Sequence, residues 1–443
     1  MKFKKFGKAL AACALSAGVV LGLTSCVQSY TVGFLYVTDT ITAQPGGHGN
    51  IDGFKIDHNT GNLVAIHGFP VSSGGSNPIR SVLVTGSRFL YVLNRGANSA
   101  GGSDCTTDDP CQNSNITVFA VGANGILTPQ GPQYYSKGRN PFRLLADTSG
   151  NYLFVLDHDA PSSEGCKLAL GGSTTACGDI TVFQINSTTG RLSLVQNAQV
   201  TVPGGGALPY FPVPANPIDF QLTSGYMLTI TGTPEIGDSS FPYAYNASSG
   251  QLSLSQNSEQ PLNIKEATAI DIGGGNVYVL DNEPIRVGGA VASQSQFLVY
   301  SIGTNGALQI APNGAVPDDV AQEGPTQLLV ESKGKYVYLA NQGNNSTTTG
   351  YAQSGITVYE LQTAPSITFT ELGGIQYGSG AGPQCIVEDP SDQFIYTANF
   401  NDSSVTGKAL NVLTGQLDTL PAKSSQFSVS GPATWCVVNG RTN

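Results

Sequence analysis

One unit recurs seven times along this 443-residue chain, and no other feature constrains its fold as tightly. Each unit begins with a Pro or Gly lead-in and an apolar strand, then turns on Gly or Ser into a Tyr-rich strand ending in Asn or Asp. The lead-ins Asn77-Pro78, Asn140-Pro141, Asn216-Pro217, Glu266-Ala267, Gly324-Pro325 and Gly382-Pro383 precede such strands at 89–94, 152–157, 226–231, 277–281, 336–341 and 394–399. A third strand of alternating character follows, as in Asn115-Ile116-Thr117-Val118-Phe119. A tight turn such as Asn186-Ser187-Thr188-Thr189-Gly190 comes next, with Gly supplying the positive φ, and fourth strands begin at Leu192, Leu252 and Leu308. No stretch shows the 3.6-residue period of a helix. The seventh unit is split: 431–438 supply only its first strand, and 34–39 with 51–54 supply its second and third. Joining both chain ends in one sheet closes a ring and leaves no long unpaired edge. The predicted fold is therefore all-β, a seven-bladed β-propeller of four antiparallel strands per blade. Its blades are placed at about 77–130, 140–196, 216–256, 266–312, 324–372, 382–421, and 431–439 with 33–66.

What precedes the ring has a different character. Lys2, Lys4, Lys5 and Lys8 are followed by an apolar run over 9–23, too short to span a bilayer but suited to a signal peptide at 1–25. The run ends in Leu23-Thr24-Ser25-Cys26, which resembles the lipobox of bacterial lipoproteins and implies lipidation of Cys26. Residues 26–32 then form a tether, and the protein is expected to be exported and anchored to the cell envelope through its lipid alone, with Val27 favouring the outer membrane or cell surface. Losing the leader removes four of 20 Lys and Arg but none of 30 Asp and Glu, for a net charge of about −14. Such a balance argues against nucleic acid as a partner. Export permits disulfides, and Cys105 with Cys111 and Cys166 with Cys177 each close a short polar loop. Cys385 and Cys436 lie on innermost strands of adjacent blades and are candidates for a third bridge, although their offsets from Pro383 and Pro432 differ by two.

The Tyr-Val-x-Asn strands, Asn-Pro lead-ins and Thr-Gly-x-Leu hairpins resemble the YVTN-repeat propellers and the related seven-bladed β-propeller lactonase family, which includes 6-phosphogluconolactonase-like proteins. The resemblance spans nearly the whole mature chain. It implies attack of water on a sugar-acid lactone in the channel mouth, with arginines binding the substrate's anion. Members of that family typically carry histidine and arginine after the Gly-Pro lead-in; here those positions read Thr326-Gln327, Gln384-Cys385 and Ala433-Thr434. A phosphorylated lactone would also be a cytosolic metabolite, out of reach of an exported protein.

Turns alternate ends in a four-stranded meander, which separates the two faces of the ring. One face has only tight turns, whereas the insertions at 95–114, 158–178, 282–295, 342–354 and 197–215 all fall on the other. Function on a rigid scaffold usually sits among such long loops. Residues expected at that mouth are His158, Glu266 and Glu283 as catalytic candidates and Arg80, Arg95, Arg143 and Asp219 as substrate-binding ones. Guanidiniums grip carboxylate or phosphate bidentately, and His158 or a carboxylate could activate water. Ordinary channel lining, with these charges paired to each other, remains the alternative. Asp39, Asn94, Asp157, Asp281, Asn341 and Asn399 share a strand-end position that Asx turns explain better than a metal. Asp104, Asp108 and Asp109 lack the spacing of a calcium loop. Neither metal nor cofactor is expected. The competing function is a non-catalytic surface propeller that binds carbohydrate, an envelope component or a protein partner through its long-loop face.

Overall fold

A computed structural model describes residues 30–439 apart from 41–47, 85, 87, 234–236, 256–258, 345–352, 364–365, 373–376 and 422–423. The leader and Cys26 lie outside the described residues. Seven antiparallel sheets form the blades, and each innermost strand packs against the next around a closed ring. The split blade assembles as anticipated: Ala433–Val438 is innermost, followed outward by Thr31–Asp39, Asn50–Asp57 and Leu63–Ala65. Blades are numbered 1 to 7 from residue 77, the split blade being the seventh.

The apolar core is divided among the seams between blades. The cluster of Tyr91, Val118, Leu153 and Phe183 joins blades 1 and 2, and that of Tyr338, Val358, Ile386 and Ile395 joins blades 5 and 6. The second strands are buried on both faces, which is why Phe89–Asn94, Tyr336–Asn341 and Phe394–Asn399 read as nearly continuous apolar runs.

The repeated motifs are the parts of one inter-blade joint. An aromatic ring from a second strand lies over the turn glycine of the following blade: Phe34 on Gly125, Phe89 on Gly190, Tyr152 on Gly250, Tyr226 on Gly306, Tyr336 on Gly415 and Phe394 on Gly61. The tyrosine two residues further on donates to that turn's carbonyl in four seams, through Tyr36, Tyr91, Tyr338 and Tyr396, at 2.7–2.9 Å. Gly415 shows why the turn needs glycine: its φ is +71° and an added Cβ would sit 2.3 Å from the Tyr336 ring. The lead-ins have the same logic, since Asn77, Asn140 and Asn216 adopt φ of 50–58° before their prolines. Directly after each lead-in the register between first and second strands slips by one residue, in all seven blades. The slip is a β-bulge, and it places Ile79, Phe142, Ile218, Thr268, Thr326, Gln384 and Thr434 as extra residues around one end of the channel.

All three cysteine pairs are bonded: Cys105–Cys111, Cys166–Cys177 and Cys385–Cys436. The third ties the innermost strands of blades 6 and 7 at a Cα separation of 6.0 Å, although Cys436 lies one register position beyond Trp435, the counterpart of Cys385. Two expectations need correction. A helix, α1, runs over Ser163–Leu170 within the Cys166–Cys177 insertion, capped by the Ser162 hydroxyl accepting from the Gly165 N–H. Its eight residues are too few to display a period, and the disulfide closes the loop that holds it. The strand-end Asn and Asp residues are fully buried and mostly bond across to the third strand, as Asn94 does to Asn115 and Thr117, Asn341 to Thr357, and Asn399 to Ser404 and Thr406. Of these strand ends, only Asp281, which accepts from the Glu283 N–H, makes a local turn of the expected kind among the described residues.

Candidate functional site

The innermost strand of each blade has a free edge facing the channel, so its backbone N–H groups need partners from elsewhere. Neighbouring blades provide them. Asp219 of blade 3 accepts from the Ile270 N–H (3.1 Å), Asp271 of blade 4 from the Leu328 N–H (2.8 Å) and Gln327 of blade 5 from the Ile386 N–H (2.8 Å). The bulge threonines of blades 4, 5 and 7 act alike, donating to the Pro325, Pro383 and Pro78 carbonyls at 2.6–3.0 Å.

Two cavities occupy the channel. The larger, about 850 Å³, reaches the tight-turn face past Thr148, Ser224 and Asn276; its walls carry Arg80, Arg143, Asp219, Asp271, Glu388 and Trp435. The smaller, about 440 Å³, lies toward the long loops and is lined by Arg95, His158, Phe142, Gln342 and Gln384 among others. Arg80 and Arg143 line both and form the waist between them. The roomier chamber is therefore on the face with the short turns, where the seven bulge residues do not crowd the channel.

The waist carries two guanidiniums. Arg143 Nε donates to Asp219 Oδ1 at 2.9 Å. The Arg80 guanidinium stacks on the Trp435 ring at 3.6 Å and has no carboxylate within ion-pair distance among the described residues. Burial, reinforced by the Arg143 charge and partly offset by Asp219 and Asp271, pulls Arg80 down to about 9. Burial and the same neighbour also lower Arg95, whose buried Nε lacks any hydrogen-bond partner. Such a site gains by taking up an anion, which restores charge balance and supplies the missing acceptor.

The sequence-chosen residues separate into groups. Arg80, Arg95, Arg143 and His158 come together at or above the waist, and Asp219 lies just below it. His158 is engaged, its Nδ1 3.2 Å from Asp159 Oδ1. Burial would raise Asp159, but hydrogen bonds from His158, Thr107 and Asn140 outweigh it and hold the carboxyl down to about 2. Glu266 and Glu283, chosen as catalytic carboxylates, line neither cavity; their backbone N–H groups wrap Asp281 Oδ1 instead, and the Glu266 side chain is exposed. Of the three carboxylates that face the larger chamber, Asp271 and Glu388 were not singled out from sequence. Glu388 receives the Ser332 N–H and hydroxyl on separate oxygens. Asp271 binds the Leu328 N–H through Oδ2 alone.

Residues 293–438 match the family described as Lactonase, 7-bladed beta-propeller. A search of curated protein sequences finds no match. Among solved structures, a Bacteroides uniformis protein carrying a provisional 6-phosphogluconolactonase name is 14% identical, with a TM-score of 0.63 over 92% of this chain and 99% of that one. The periplasmic gluconolactonase of Pseudomonas aeruginosa is 16% identical, with a TM-score of 0.60 over 92% of this chain and 98% of its own. At these identities the structures attest the shared fold. The chain is thus a seven-bladed β-propeller that matches the seven-bladed lactonase family through its closing blades.

Proposed function

We propose that this protein is an exported, lipid-anchored hydrolase of unphosphorylated sugar-acid lactones, acting within its channel. The observation that carries the reading is a cluster of three guanidiniums, Arg80 and Arg143 at the waist and Arg95 above it, of which only Arg143 is ion-paired among the described residues. A ring-opened sugar acid bears one carboxylate, and a lactone develops the same negative charge during attack on its carbonyl. Both suit half-buried guanidiniums whose charge nearby carboxylates offset only in part. Cys26 lipidation places the active channel outside the cytoplasm, consistent with three disulfides.

The test is hydrolysis of a panel of phosphorylated and unphosphorylated aldonolactones by the purified protein, measured over the buffer rate. Turnover that Arg143→Ala reduces by about 10-fold or more, the worth of a hydrogen bond to a charged group, supports the reading. No turnover across the panel sinks it and leaves the channel as a binding site.

A further inference from the structure

We propose that Asp271 is the general base that activates water in this channel, in the chamber below the arginine waist; the assignment rests on the lactone-hydrolysing reading above. A base needs a free lone pair facing the reacting space, a place beside the groups that stabilise the developing charge, and exclusion from bulk water. The candidates at the waist and in the larger chamber were compared on those requirements. Asp219 has both oxygens engaged, Oδ1 by Arg143 Nε and the Phe220 N–H, Oδ2 by the Ile270 N–H. Glu388 has a donor on each oxygen. His158 directs Nδ1 at Asp159 and lies in the other cavity.

Asp271 meets the first two, and its half-buried place in the chamber wall limits its contact with bulk water. Its Oδ2 is pinned by the Leu328 N–H at 2.8 Å, which fixes the carboxylate's orientation. Its Oδ1 receives no donor among the described residues, and the residue lines the chamber wall. Arg80 and Arg143 act on it electrostatically through the same cavity. Burial raises Asp271, Asp219 adds to the rise, the Leu328 N–H and both arginines oppose it, and the result stands at about 7. A base poised there works near neutral pH.

The chemistry balances without a further reactant. Asp271 Oδ1 takes one proton of a water molecule as its oxygen bonds to the lactone carbonyl carbon. The carbonyl electrons move onto oxygen, opposite a guanidinium of the waist. As the carbonyl re-forms, the ring C–O bond breaks, and Asp271 returns its proton to the departing ring oxygen. The product is the open hydroxy acid; its carboxyl gives up the second proton of the water to solvent, and the resulting carboxylate stays beside Arg80.

The experiment compares wild type with Asp271→Asn and Asp271→Ala on glucono-δ-lactone and the rest of the panel, with gluconate binding measured in parallel. Asn keeps the acceptor for the Leu328 N–H but cannot take a proton. The expected result is a fall in kcat of about 100-fold or more, gluconate affinity within about two-fold of wild type, and loss of the inflection near pH 7 in the rate profile. The charged groups facing Asp271 in that profile are Asp219, Arg80 and Arg143. Formate should restore part of the Asp271→Ala rate. Wild-type turnover retained by Asp271→Asn, or Asp271→Ala turnover indifferent to formate, overturns the assignment and leaves the lactonase reading standing. Wild-type inactivity on every lactone overturns both.

Discussion

The two arcs of the ring solve the same structural problem differently. In blades 5, 6 and 7 the two residues beginning at the bulge are Thr326-Gln327, Gln384-Cys385 and Thr434-Trp435, and they are spent largely on the ring itself. Thr326 and Thr434 donate to the next blade's proline carbonyl, Gln327 caps the Ile386 N–H, and Cys385 is bridged to Cys436. In blades 1, 2 and 3 the same positions read Ile79-Arg80, Phe142-Arg143 and Ile218-Asp219, with a single ion pair between them. One arc spends these positions largely on the ring, while in the other Asp219 alone caps the next blade and two arginines face the lumen. Ligand chemistry on a propeller requires that division, since a channel satisfied all round has nothing left to offer an anion.

Breaking the fastening arc should produce the largest effect on stability. Cys385 and Cys436 are 51 residues apart, and loop entropy alone assigns their bridge about 4 kcal/mol. Cys385→Ser with Cys436→Ser should lower the urea midpoint far more than the same change at Cys105 and Cys111, which enclose only a six-residue separation. Next in size is Gly415→Ala, which forces a side chain into the left-handed region and against Tyr336, at about 2–4 kcal/mol. Circular-dichroism melting would register it, and equal stability would disprove the aromatic-on-glycine joint.

A pH effect, by contrast, is common to both arcs. On the charged side, burial together with neighbouring carboxylates pushes Asp157 up to about 8 and raises its strand partner Asp179 as well. The folded state therefore holds a proton that the unfolded chain releases near pH 4, so the stability this proton provides is lost as pH climbs from about 4 through 8. Asp39, beside Asp52 in blade 7, is raised to about 8 in the same manner, by burial first. Asp179→Asn should flatten the blade 2 part of that decline in melts between pH 5 and 9; an unchanged slope would refute the shared proton. The smallest stability effect belongs to Thr326→Val, about 1 kcal/mol for one hydrogen bond, with lactone turnover untouched. Arg95→Gln should do the reverse, weakening gluconate binding while leaving the melting temperature near wild type.

The fold could be read in the chain because each blade repeats the same joint: a turn glycine, the aromatic that covers it and the tyrosine that bonds its carbonyl recur at fixed offsets. The split blade was legible for the same reason, since 431–438 carry only the first strand's share of the pattern. The arginines of the waist were legible too, as they directly follow the lead-ins. Asp271 was not. Blade 4 lacks the proline that marks the lead-in, and Asp271 lies three residues past the bulge at Thr268, where only strand register shows that it lines the lumen. Glu266 was expected at the channel mouth because it opens a first strand at the long-loop end, yet its backbone serves Asp281 and its side chain is exposed. The larger chamber was also hidden, because long loops mark a face in sequence while channel width depends on where the bulges fall.

The most direct test of the account is a crystal structure of the protein soaked with gluconate. The account predicts the carboxylate held by Arg80 and Arg143 on the chamber side of the waist, one water away from Asp271 Oδ1, with the sugar chain extending into the larger chamber. Gluconate seated among the long-loop insertions with the waist unfilled, or no bound gluconate at concentrations where solution binding saturates, would contradict it.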